Sequence, residues 1–169
     1  MDVFAHAAWT NLIFYKKLKQ RKRDLWVAVL FGVLPDLLSF APVFIYSWVF
    51  GTGFMELIGR DIWVMRFAAE SYKYTHSIVI FAILIALVAV IRKYLGKNPL
   101  YLPILAFGLH TLIDIPTHKN FYETPFLFPL SDYTFSYGVS WAHPVFMAIN
   151  YSLLAIFYVL LTRSLFKQK

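Results

Sequence analysis

His110, Asp114 and His118 stand four residues apart in the stretch FGLHTLIDIPTHKNF, residues 107–121. On an α-helix, positions four apart lie one above another on the same face, one turn apart. An imidazole and a carboxylate so placed can share one cation. Nitrogen and carboxylate ligands of this kind suit zinc, with manganese and iron as alternatives. His-x-x-x-Asp alone is a common chance spacing. Its weight here comes from the third member and from the apolar run that carries it. Pro116 falls inside the pattern, and a helix broken there would take His118 off the stripe.

Four more residues have the same chemical character: His6, Asp36, His76 and His143. The chain has five histidines and no cysteine, which excludes disulfides and thiolate ligands. Asp36 and Asp114 are the acidic residues that fall inside the apolar runs. A carboxylate at the centre of a membrane helix costs about 2.5–3.5 kcal/mol on insertion scales. That cost falls if the group faces a wet cavity, loses its charge or meets a cation. The candidate metal ligands are therefore His6, Asp36, His76, His110, Asp114 and His118, with a divalent cation, zinc foremost, as cofactor. Asp36 is also the candidate general base. Structural roles compete with these. His110 and Asp114 could form a hydrogen-bonded pair between helices. Asp36 could cap a helix that restarts after Pro35, and Thr75 could cap one beginning near His76. His143 precedes Pro144, a favoured first helical residue.

The elements that would position these residues are membrane helices. The chain is 60% hydrophobic and 15% charged over 169 residues, whereas soluble domains carry about 45–50% apolar and about 25% charged residues. The expectation is an all-α, polytopic helical bundle forming one integral membrane domain over residues 1–169. Residues 25–49, 77–91, 99–115 and 143–162 read as about four transmembrane helices. Residues 2–15 read as a short N-terminal apolar helix, half-inserted or tucked into the bundle. Pro35 lies inside the first span, which lipid tolerates only where protein or water satisfies the freed carbonyl. Residues 50–74 mix charges with aromatics and read as an amphipathic surface helix. Residues 116–142 read as irregular. The basic residues of the N-terminal stretch follow its apolar part, which is not the order of a signal peptide.

The net charge of +7 would suggest nucleic acid in a soluble protein. Here the basic residues cluster at the ends of apolar runs, as cytoplasmic loops require, so membrane lipids are the expected partners and nucleic acid is not. With four crossings, the block 16–23, the turn 92–97 and the tail with Arg163, Lys167 and Lys169 share one side. The positive-inside bias makes that side, and the C-terminus, cytoplasmic. Antiparallel spans then gather His76, His110 and Asp114 near the outer half of the bundle, with His118 and His143 just beyond and His6 at a similar depth.

Taken in order, His6, LPD at 34–36, THS at 75–77 and GLHTLIDIPTH at 108–118 resemble the YdjM-type family of inner-membrane, LexA-binding, metal-dependent hydrolases. The resemblance runs from residue 6 to about residue 130. It implies an inner-membrane location, and that Asp36, His76, His110 and Asp114, with His6, correspond to that family's metal ligands. Thr117 matches its threonine position and LFPL at 127–130 its proline turn. Two positions depart from the pattern. Leu38 stands where PDxD would place a second aspartate. Ser71 and Tyr72 stand where a His-Arg pair would open the THS block. These departures point to fewer bound ions or to a degenerate site.

Three functions fit these residues. The first is hydrolysis of a phosphoester, or of an ester or amide, on a lipid-like substrate, by a metal-activated water. Arg66, Tyr72 and Lys73 could hold its anionic headgroup. The second is a small proton- or ion-coupled carrier, for which a helix broken at Pro35 beside Asp36 is suited. The third is a non-catalytic membrane protein with a degenerate metal site. Clustering toward one side favours the first, because a carrier needs few titratable groups along a path open to both sides.

Overall fold

The computed structural model describes residues 1–120 and 122–166; Lys167 and Lys169 of the basic tail lie outside the described residues. The elements among the described residues are all helical. Helix α1 spans Val3–Leu18, α2 Lys22–Phe50, α3 Phe54–Leu57, α4 Trp63–Thr75, α5 Ile78–Tyr94, α6 Leu105–Thr117 and α7 Pro144–Phe166, with a 3-10 turn at Leu102–Ile104 leading into α6.

Helix α1 begins where the Asp2 side chain accepts from the Ala5 amide at 3.0 Å and ends on Lys16 and Lys17, which complement the helix dipole. His6, Thr10, Phe14 and Leu18 recur every four residues and are all buried. This stripe seats α1 inside the bundle, along α2. A Cβ at Gly32 would run into the Thr10 side chain, so the glycine is what lets the two helices approach this closely. Helix α2 continues unbroken through Pro35 and Pro42 and stops at Gly51, whose φ of +63° is the left-handed conformation glycine adopts without strain. Because α2 does not restart at Pro35, Asp36 is no helix cap.

Helix α4 is amphipathic, as the mixed sequence of residues 50–74 predicts. It lays Val64, Met65, Ala68 and Tyr72 against Phe40 and Val43 of α2 and Leu57 of α3. Helices α4 and α5 meet at a 61° bend centred on His76. Ser77, rather than Thr75, caps α5 by accepting from the Ile80 amide at 3.1 Å. The loop from α6 to α7 supports the same bend. The Phe126 carbonyl accepts from the Ile78 amide at 2.9 Å, and the Phe128 carbonyl accepts from the Ser77 hydroxyl. That loop also satisfies the last carbonyls of α6, because Val139 and Trp141 amides donate to Pro116 and Thr117 at 2.8 and 2.7 Å.

Helix lengths refine the expected crossings. Helices α2 and α7 are each long and apolar enough to span a membrane, and α4 with α5 make a third span if the bent pair counts as one. Helix α6 has 13 residues, about 20 Å at the α-helical rise, against a hydrocarbon core of about 30 Å. One face of it is buried, with Phe107, His110, Thr111, Asp114 and Thr117 turned inward. Helix α5 is exposed or half-buried along its whole apolar length, and α7 buries Asn150 and Leu154 while presenting Ile156, Val159 and Leu160 outward. Apolar surface on the outside of helices is what lipid, not water, accommodates.

Candidate metal centre

Four side chains from three parts of the fold converge. Helix α2 carries Asp36, the α4–α5 bend carries His76, and α6 carries His110 and Asp114. His76 Nε2 lies 3.0 Å from His110 Nε2, 3.4 Å from Asp114 Oδ2 and 3.5 Å from Asp36 Oδ1. His110 Nε2 lies 3.1 Å from Asp114 Oδ2 and 3.6 Å from Asp36 Oδ1. All four side chains are buried, and their ligand atoms lie within 4.8 Å of one another. A tetrahedral ion with bonds of about 2.0–2.1 Å separates its ligands by about 3.3–3.4 Å. These five separations, 3.0 to 3.6 Å, bracket that edge. The donor set, two imidazoles and two carboxylates without sulfur, could hold a divalent metal ion.

The surroundings orient each imidazole. The Gly32 carbonyl, one residue past the Phe31 carbonyl that Pro35 leaves without a donor, accepts from His110 Nδ1–H at 2.8 Å. A carbonyl only accepts, so a neutral His110 keeps its proton on Nδ1 and turns a lone pair at Nε2 toward the cluster. Thr75 Oγ1 lies 2.9 Å from His76 Nδ1 and 2.7 Å from Ser39 Oγ, tying the bend to α2. Asp114 Oδ2 is buried and makes no hydrogen bond among the described residues. Its neighbours are the two imidazole nitrogens already named, outside hydrogen-bond geometry, and a cation among these four groups would satisfy it.

His6 and His118 reach the same carboxylate from its other side. His6 Nε2 is 2.9 Å and His118 Nε2 is 3.3 Å from Asp114 Oδ1, and the Met1 nitrogen donates to that oxygen as well. His118 keeps to the α6 stripe despite Pro116, because the helix runs on to Thr117 and the His118 amide still bonds the Asp114 carbonyl at 3.1 Å. His143 stays away. It is exposed at the start of α7, where Nδ1 accepts from the Val145 amide at 3.3 Å. The fold thus gathers Asp114 with five of the other side chains the sequence names, and leaves His143 outside as a cap of α7.

Tyr72 is the residue whose role the sequence does not reveal. It is fully buried, its ring stacks on His76 at 3.7 Å, and its hydroxyl lies 3.0 Å from His118 Nδ1 and 2.9 Å from Thr124 Oγ1. It is therefore placed to orient two histidines rather than to meet a headgroup. The one available signal was its position four residues before His76. Arg66 and Lys73, the other two headgroup candidates, pair at the surface with Asp61 at 2.7 Å and Glu70 at 3.0 Å.

A cavity of about 140 Å³ opens beside the cluster, with Asp36 and His118 on its polar wall and Phe40, Phe44, Phe54 and Trp141 on its apolar wall. Comparison with family models, with curated proteins and with solved structures finds no match for this chain.

Proposed function

We propose that the protein is a membrane-embedded, metal-dependent hydrolase acting on a phosphoester, or less readily an ester, of a lipid-like substrate. The observation that carries this reading is the set of near-tetrahedral separations among His76, His110, Asp114 and Asp36 around a carboxylate oxygen with no hydrogen bond of its own. In this reading His76, His110 and Asp114 hold the ion, zinc by the donor set. When bound, the ion lowers the pKa of a coordinated water and polarises the substrate's oxygen. Asp36 belongs both to the cluster and to the cavity wall, so its carboxylate accepts the proton of the attacking water. The phenylalanines of the cavity exclude bulk water and receive the substrate's apolar portion.

The motif order that resembles the YdjM-type family supports the same reading. Four crossings with cytoplasmic basic ends and an inner-membrane location go with it. Helix α6 can be short as one of those crossings because neighbouring helices cover its polar face.

The test is elemental analysis of the detergent-purified protein beside hydrolysis of phosphodiester and carboxylester lipids. The parent is expected to carry stoichiometric zinc and to turn over the phosphoester. Asp36→Asn is expected to retain metal while losing activity by about 10²–10⁴-fold, the usual contribution of a general base. A parent without metal that drives proton-coupled uptake in vesicles would replace this reading with the carrier.

A further inference from the structure

Asp114 faces two separate sets of ligand atoms, one on each carboxylate oxygen. Oδ2 looks at His76 and His110, at 3.4 and 3.1 Å. Oδ1 looks at His6 and His118, at 2.9 and 3.3 Å. We infer that Asp114 bridges two divalent cations, the second bound by Asp114 Oδ1, His6 Nε2 and His118 Nε2. The inference rests on the hydrolase reading above and adds to it a second ion and the residues that hold it.

Two features of the fold support the second position. The His6 and His110 rings stack face to face, 3.7 Å between centroids and 23° between planes, with their Nε2 atoms serving opposite oxygens of one carboxylate. Two-metal hydrolytic sites hold their ions about 3.5–4 Å apart, so the stacking distance is the spacing such a pair needs. His118 is oriented as a ligand is, with Nδ1 held by the buried Tyr72 hydroxyl and Nε2 turned inward. A positive group already lies on this side, since the Met1 ammonium donates to Oδ1 and sits 3.0 Å from His118 Nε2. An arriving cation would compete with it for Oδ1.

The cavity gives the second ion a purpose. Its polar wall contains Asp36 from the first set and His118 from the second. A phosphoester in the cavity would meet both ions, one near the attacking water and one near the leaving oxygen. That is the arrangement suited to in-line displacement at phosphorus. Water adds to phosphorus as its proton passes to Asp36, the P–O bond to the leaving alcohol breaks, and Asp36 returns that proton to the departing oxygen.

The experiment loads the full-length, chelator-stripped protein in detergent with Zn²⁺ or with Mn²⁺. Expected are two Zn²⁺ per chain in the parent and one in His6→Ala and in His118→Gln. The two-Mn²⁺ form should show an exchange-coupled electron paramagnetic resonance spectrum, which His118→Gln converts to that of an isolated ion. One ion per chain in the parent, unchanged in His118→Gln, would remove the second position and leave the single-ion hydrolase standing. Two ions without coupling would remove the bridge. No bound metal would remove both. Thermal melting of each variant reports whether lost metal reflects lost folding.

Discussion

Helices α6 and α7 are both apolar, yet they do opposite things. Helix α6 turns His110, Thr111, Asp114 and Thr117 into the bundle and shields them completely, while α7 buries Asn150 and Leu154 and shows most of its aliphatic side chains outward. The same kind of sequence thus makes a polar core in one place and a lipid-facing wall in the other. In a bilayer the outside is as apolar as leucine, so apolar surface alone gives no helix a reason to be inside. Position is decided by the polar groups, which must find partners, and by small residues that permit close approach.

Asp114→Ala should break this contrast most severely. It leaves His6, His76, His110 and His118 facing one another without their shared carboxylate. Metal affinity should fall by more than the roughly 100-fold that loss of an outer-shell partner costs, as read by competition with a chromophoric chelator. Tyr72→Phe should come next. It removes the hydroxyl that orients His118 while keeping the stacked ring, and should lower metal affinity by about 10–100-fold with little change in melting temperature.

A packing change sharpens the comparison from another side. Gly32→Ala places a methyl group against Thr10 and should destabilise by about 1–3 kcal/mol, as over-packing does. It should also shift the carbonyl that holds His110. Melting in detergent and zinc titration should both respond. The smallest effect belongs to α7, where Ile156→Ala, at a position 54% exposed, should change stability by no more than about 0.5 kcal/mol and leave metal content alone. An Ile156 variant as damaging as Gly32→Ala would show that α7 packs against something more than lipid.

Much of the site was legible in advance because its members are rare residue types in an apolar chain. His6, Asp36, His76, His110, Asp114 and His118 stand out by the cost of placing them there, and the four-residue period of α6 puts three of them on one face. Tyr72 was read as a headgroup contact, because a tyrosine among many aromatics carries no such cost and nothing local shows that it will be buried against two histidines. The number of full-length crossings was less legible. Apolarity of residues 99–115 is shared by a lipid-crossing helix and by a short helix enclosed in protein, and only length in three dimensions separates them.

The sequence by itself determined that the chain is helical, that it carries runs long and apolar enough to cross a membrane, and which side chains are chemically able to bind a cation. Those properties are local, set by side-chain type and by helical periodicity. Only the tertiary structure decided that Asp114 has a different pair of histidines on each oxygen, that His143 is left outside, and that Tyr72 stands behind two ligands. The rotation and depth of one helix against another follow from contacts between distant residues, such as Thr10 against Gly32 and Phe126 on the Ile78 amide. No periodicity within a single helix encodes them.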